Sequence, residues 1–144
     1  MTYILDTSVV IKWYVEEKGS DIAERMLDDY KIGNLSIVEP DLLIYEFVNV
    51  LRYNKNFSKD ERKRCIINLF NLDLYLVTPY IGLVESAKEI AEEKDVSVYD
   101  AIYISLADIT GFEFVTADEK LYNKVKDLKY AKLLRNLKWD NWEI

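Results

Sequence analysis

The sequence predicts an α/β fold: a single domain, residues 1–144, with a mostly parallel sheet covered by helices on both faces. Three observations carry that expectation. Short apolar runs alternate with amphipathic stretches of helix length almost to the end of the chain, the βαβα order of parallel strands joined by crossover helices. The runs are continuously apolar rather than alternating, as strands buried on both faces are. A length of 144 residues, with no internal repeat, low-complexity tract or linker, leaves apolar surface for one core and not two.

Taken in order, Thr2-Tyr3-Ile4-Leu5 reads as a buried strand, and Asp6-Thr7-Ser8 supplies cap chemistry for a helix through Tyr14. Asp21 to Tyr30 reads as a second helix, with Ile22, Ala23, Met26 and Leu27 at helical spacing and Gly33-Asn34 beyond its end. Leu35 to Val38 is a second strand, and Pro40-Asp41 opens a helix that buries Leu42, Leu43, Phe47, Val50 and Leu51. Ser58 caps another, with Cys65, Ile66, Leu69 and Phe70 inward. Leu74 to Val77 is a third strand, followed by a helix marked by Leu83, Val84, Ala87, Ile90 and Ala91. Tyr99 to Ile109 forms a helix stopped by Gly111, then Phe112 to Thr116 a strand, then a last helix near Leu121 to Val125.

Composition prunes the chemistry. Histidine is absent, which removes Ser-His-Asp triads, His general bases and His-ligated zinc. The lone Cys65 allows neither an intrachain disulfide nor a Cys-based zinc site, points to a reducing, cytoplasmic setting, and reads as a buried small hydrophobe. The N-terminus lacks a secretory pattern, and no stretch is long and apolar enough for a membrane span. A formal charge of −7 weakens any long-range pull on a polyanion, so a nucleic-acid substrate would need local basic patches or bound metal.

Carboxylates remain. In an open parallel sheet the ligand site lies beyond the carboxyl ends of the strands, where Asp6 and Asp118 fall, Asp6 beside Thr7 and Ser8 and Asp118 beside Thr116. Each also serves as a helix cap in a purely structural reading. Glu46 interrupts the apolar stretch Leu42 to Val48, where an isolated charge is costly unless paired or metal-bound, although Glu46, Asn49 and Tyr53 equally describe the wet stripe of an amphipathic helix. Asp100 opens a strongly apolar helix, a place the helix dipole alone favours. Together the acids suit a hard divalent cation such as Mg²⁺ or Mn²⁺, which relieves their mutual repulsion and activates water for phosphate chemistry.

These residues resemble a known family. Asp6-Thr7-Ser8 after the first strand, Pro40-Asp41-Leu42-Leu43 with Glu46 and Asn49, Tyr99-Asp100-Ala101 with Tyr103 and Leu106-Ala107, and Val115-Thr116-Ala117-Asp118 look like PIN domains, and more narrowly like VapC-type toxins of toxin–antitoxin pairs. The four motifs occur in order across essentially the whole chain. The resemblance implies a Rossmann-like α/β/α sandwich, Mg²⁺- or Mn²⁺-dependent endoribonuclease activity on RNA, a homodimer and a cognate VapB-type antitoxin. It places Asp6, Glu46, Asp100 and Asp118 at the acidic catalytic metal site, with Asp6 and Asp100 as principal ligands, and Thr7, Asn49 and Thr116 in support. Tyr122 stands where some relatives carry another acid, so the resemblance does not extend to a full second-metal site.

Two basic runs are candidate RNA contacts, although a solvated helix face is the more ordinary reading of each. One spans Arg52, Lys55, Lys59, Arg62, Lys63 and Arg64; the other spans Lys124, Lys126, Lys129, Lys132, Arg135 and Lys138. Tyr53 and Phe57 interleave with the first, which makes Arg52, Lys55 and Lys59 the better candidates for holding a stacked single strand. Trp139 and Trp142 are expected to dock the tail or a partner. The competing readings are a PIN nuclease of RNA processing, a DNA nuclease or phosphatase using the same carboxylates, and a catalytically silent binding or scaffold module.

Overall fold

The computed structural model describes residues 1–138, so the expectation for Trp139 and Trp142 lies outside the described residues. Five parallel strands form one sheet in the order β3-β2-β1-β4-β5: β1 is Thr2–Leu5, β2 Ser36–Pro40, β3 Tyr75–Val77, β4 Glu113–Thr116 and β5 Ala131–Leu133. The helices are α1 (Thr7–Val10), α2 (Ser20–Lys31), α3 (Leu42–Arg52), α4 (Lys59–Asn71), α5 (Ile81–Lys94), α6 (Val98–Thr110) and α7 (Glu119–Val125). Right-handed crossovers running outward from β1 to β3 and then back through β4 to β5 put α1–α4 on one face and α5–α7 on the other. The contacts agree, with α1 against α3, α3 against α4, and α5 along α6. The expected three-layer α/β/α sandwich is the observed architecture.

The central strands form where the sequence is most apolar. Ile4, Leu5, Phe114 and Val115 on β1 and β4 are fully buried and pack with Leu43 and Phe47 of α3 and Tyr103, Ile104 and Leu106 of α6. Each such side chain contributes about 1.5–3 kcal/mol on leaving water. Among the described residues no helix is long and apolar enough to cross a membrane.

Several boundaries differ from the sequence reading. The first helix is one α-helical turn followed by a 3₁₀ turn, Ile11–Trp13. Pro40 ends β2 instead of opening α3. The Asp41 N–H donates to the Val77 carbonyl on the β3 side, so by strand alternation the missing N–H of Pro40 faces β1, where main-chain pairing with β2 is recorded only at Thr2–Tyr3. Proline there sacrifices no ladder bond. Phe70 is 57% exposed and not inward, Cys65 is only half-buried, and Val50 and Val84 are exposed. β5, absent from the sequence reading, is three residues long among lysines, too short to show a period.

Candidate active site

Strand order reverses between β1 and β4: the chain leaves β1 toward β2 and leaves β4 toward β5. The connections diverge there, and a crevice opens beyond the strand ends. Asp6 follows β1 directly and Asp118 stands two residues past β4. A cleft of ≈ 230 Å³ at this point is lined by Asp6, Thr7, Ser8, Glu46, Asn49, Val50, Asp100 and Asp118. The structure thus brings the four predicted acids together with Thr7 and Asn49.

Each acid arrives there for a local reason. Asp6 is the N-cap of α1, accepting from the Ser8 N–H at 3.1 Å, and Asp118 caps α7, accepting from the Leu121 N–H at 3.2 Å. Capping and site lining are one placement, not rival explanations. Glu46 reaches the cleft because Leu43, Phe47 and Leu51 of α3 face the core and rotate the intervening positions outward. Asp100 lies in the first turn of α6, fixed by the Ser97 cap, whose hydroxyl accepts the Asp100 N–H at 3.0 Å.

Hydroxyl groups lock the acids in place. The Tyr103 hydroxyl donates to Glu46 Oε1 at 2.7 Å, and the Thr7 hydroxyl donates to the same oxygen at 3.2 Å. The Ser8 hydroxyl donates to Asp6 Oδ1 and accepts the Ala117 N–H at 2.8 Å, while Thr116, fully buried, accepts the Asp118 N–H at 3.0 Å. Ser8 Oγ and Thr116 Oγ1 stand 3.3 Å apart, so one network joins the ends of β1 and β4 and fixes Asp6 relative to Asp118.

The electrostatics are those of a crowded acidic site. Burial pushes the Asp6 carboxyl up to about 7 against the opposing effect of the Ser8 and Thr116 hydroxyls, and the charges of Asp100 and Asp118 raise it further. Burial, and then the charge of Glu46, raise Asp100. Among the described residues no group of three His, Cys, Asp or Glu side chains is close enough to hold an ion directly. All-oxygen donors around one cleft nonetheless fit a hydrated Mg²⁺ or Mn²⁺, which is bound through one or two carboxylates with water completing the shell.

Sequence reasoning missed three contributors. Ser8 was only a neighbouring hydroxyl and Tyr103 only a motif position, yet Tyr103 stands three residues after Asp100, the spacing of neighbours on one helix face. Glu39, 0% exposed, accepts the Leu5 N–H at 2.5 Å through Oε1, while its buried Oε2 has no recorded partner. Ile37 and Glu39 share one side of β2, and that period was the available signal. Arg52, Lys55 and Lys59 are exposed and line neither the cleft nor its neighbouring pocket. Arg52 instead lies 4.7 Å over the Tyr53 ring and donates to its hydroxyl at 2.6 Å, and Phe57 faces a separate pocket with Trp13 and Tyr14.

A family model described as the PIN domain matches residues 3–127. Ribonuclease VapC3 of Pyrobaculum aerophilum is 29% identical over 128 residues, covering 86% of this chain and 95% of that protein. Two solved structures share the fold: PAE2754 from Pyrobaculum aerophilum, with TM-score 0.66 and 21% identity over 94% of this chain and 90% of that one, and VapBC-1 from nontypeable Haemophilus influenzae, with TM-score 0.66 and 16% identity over 94% and 100%. The resemblance drawn from the four motifs is borne out.

Proposed function

The chain belongs to the PIN domain family, and from that premise we propose that it is a Mg²⁺- or Mn²⁺-dependent endoribonuclease acting in the cytoplasm as the toxin of a toxin–antitoxin pair. The observation that carries the reading is the meeting of Asp6, Glu46, Asp100 and Asp118 on one cleft at the reversal of strand order. The likeness to a protein named as a ribonuclease, and to a structure named as a VapBC assembly, supports RNA as substrate and a VapB-type antitoxin as partner. A homodimer is proposed on the family resemblance.

Asp6 and Asp100 are the principal ligands in this reading, with Glu46 and Asp118 completing the cage, some through water. A bound cation would supply an activated water and offset the charge that develops on the phosphate during displacement. Thr7 and Tyr103 hold the Glu46 carboxylate in one orientation, so the chain does not have to order it when substrate arrives. Ser8 and Thr116 do the same for the ends of β1 and β4. Asn49, exposed on the cleft wall, is placed to hydrogen-bond the sugar or phosphate of an RNA strand.

The test is cleavage of end-labelled structured RNA, single-stranded DNA and duplex DNA in Mg²⁺, Mn²⁺ and EDTA, by the native chain and by Asp6→Asn and Asp100→Asn. Cation-dependent cutting of RNA, reduced at least about 10²-fold by each substitution, is expected. Absence of cutting on every substrate, with no cation binding by calorimetry, would overturn the nuclease reading in favour of a binding module. Preferential cutting of DNA would keep the site and change the substrate.

A further inference from the structure

A second pocket, of ≈ 470 Å³, opens beside the acidic cleft between the α5–α6 turn and α7, and Asp100 and Asp118 belong to the walls of both. The two spaces therefore adjoin at those two side chains. Their charge differs: no Lys or Arg is among the residues lining the cleft, whereas Lys120 and Lys124 of α7 line the pocket, with Asn123 between them. Spacing of three and four residues places these side chains on one face of α7; Leu121, buried beside them, also lines the pocket, and Val125 is buried in the core.

Lys124 is pre-positioned. Its Nζ donates to the Asp95 carbonyl at 2.7 Å and stands 3.6 Å from the Asp95 carboxylate, and its charge is felt at Asp100. A polyanionic strand entering a cleft of four acids needs cations close to the reacting phosphate, because the long-range field of a chain of charge −7 repels it. Arg52, Lys55 and Lys59 line neither space, and Lys120 and Lys124 are the cations among the residues that line the two. The volume is within the range of small-ligand sites and admits one nucleotide.

We propose that this pocket is the subsite for the nucleotide adjoining the cleaved phosphodiester, its phosphate held between Lys120 and Lys124 and its base or sugar edge within reach of Asn123. The placement rests on the nuclease reading above; the binding does not. The strand then crosses from the acidic cleft onto α7, away from the basic run at the end of α3.

The test is fluorescence anisotropy of a labelled single-stranded RNA oligonucleotide across a salt series, in EDTA and in Mg²⁺, with steady-state cleavage alongside. Compared with the native chain are Lys120→Ala, Lys124→Gln, the two combined, and Arg52→Ala/Lys55→Ala/Lys59→Ala. Loss of the one phosphate held between the two lysines lowers the slope of log K against log salt by about 0.7. The double variant is expected to show that change with affinity weakened about tenfold, KM raised and kcat within about twofold. Lys120→Ala, which leaves the Lys124–Asp95 tie intact, is expected to show half the slope change with an unaltered melting temperature. A native slope in the double variant, or a slope lost only in the α3 variant, overturns the proposal. A native chain that binds RNA without cutting it overturns the nuclease reading, and the slope comparison still decides this one.

Discussion

Glu39 is the residue at which this fold is least at ease. Its carboxyl is fully buried and takes the Leu5 N–H between β1 and β2, one residue before Asp6. Burial, and then the charge of Asp6, raise it well above the ordinary carboxyl range against the opposing hydrogen bond. A carboxyl raised in the folded state binds its proton more tightly folded than unfolded. Its contribution is fully present below the ordinary carboxyl pKa and is lost as pH rises toward the folded value. Glu39→Gln keeps an acceptor for Leu5 and removes the charge. The variant is expected to melt a few degrees higher than the native chain at pH 8, with a flatter dependence of melting temperature on pH and convergence near pH 4. A variant that melts lower at pH 8 would show that the charge is matched by something the hydrogen bonds do not reveal.

At the scale of elements, legibility followed the strength of the period. β1, β4 and α6 were readable because Ile4-Leu5, Phe114-Val115 and Ala101 to Ala107 are nearly unbroken apolar runs, and these three elements deliver Asp6, Asp118 and Asp100. Glu46 was readable for the opposite reason, as a charge within an apolar helix. β5 was hidden by its length, and Glu39 by the proline after it, which suggested that β2 had already ended. Ser58 was legible as a cap, and the structure forms the full capping box, Ser58 accepting from the Glu61 N–H at 3.1 Å and Glu61 accepting from the Ser58 N–H at 3.0 Å. Only Leu69 of α4 is buried, so this helix depends on its cap more than the core helices do. Ser58→Ala is expected to cost about 1 kcal/mol in urea denaturation without touching RNA cleavage. Loss of activity at full folding would mean that α4 contributes to the substrate path.

The whole molecule gathers four carboxylates where its sheet opens, Asp6 buried, Glu46 and Asp100 half-buried and Asp118 exposed, and the apo fold carries the cost of the buried one. Asp6, raised to about 7, is mostly protonated at pH 5.5 and mostly ionised at pH 8; the apo chain loses stability as pH rises from the ordinary carboxyl range toward 7, and the loss levels off once the buried charge has formed. A divalent cation acts in the opposite sense, because it binds the ionised folded site and competes with the proton. Stabilisation by a ligand at ten times its Kd is about 1.4 kcal/mol, a few degrees in melting temperature for a chain of this size. Mg²⁺ or Mn²⁺ is therefore expected to raise the melting temperature at pH 8 and to have little effect at pH 5.5, and Asp6→Asn should melt higher than the native chain without cation and gain little from it. Sodium chloride at matched ionic strength separates binding from general screening of the net charge. If salt alone reproduces the shift, or the shift is equal at both pH values, the acids of the cleft are not acting together on a cation, and the stability cost at Asp6 must be assigned to something other than the proposed hydrolysis.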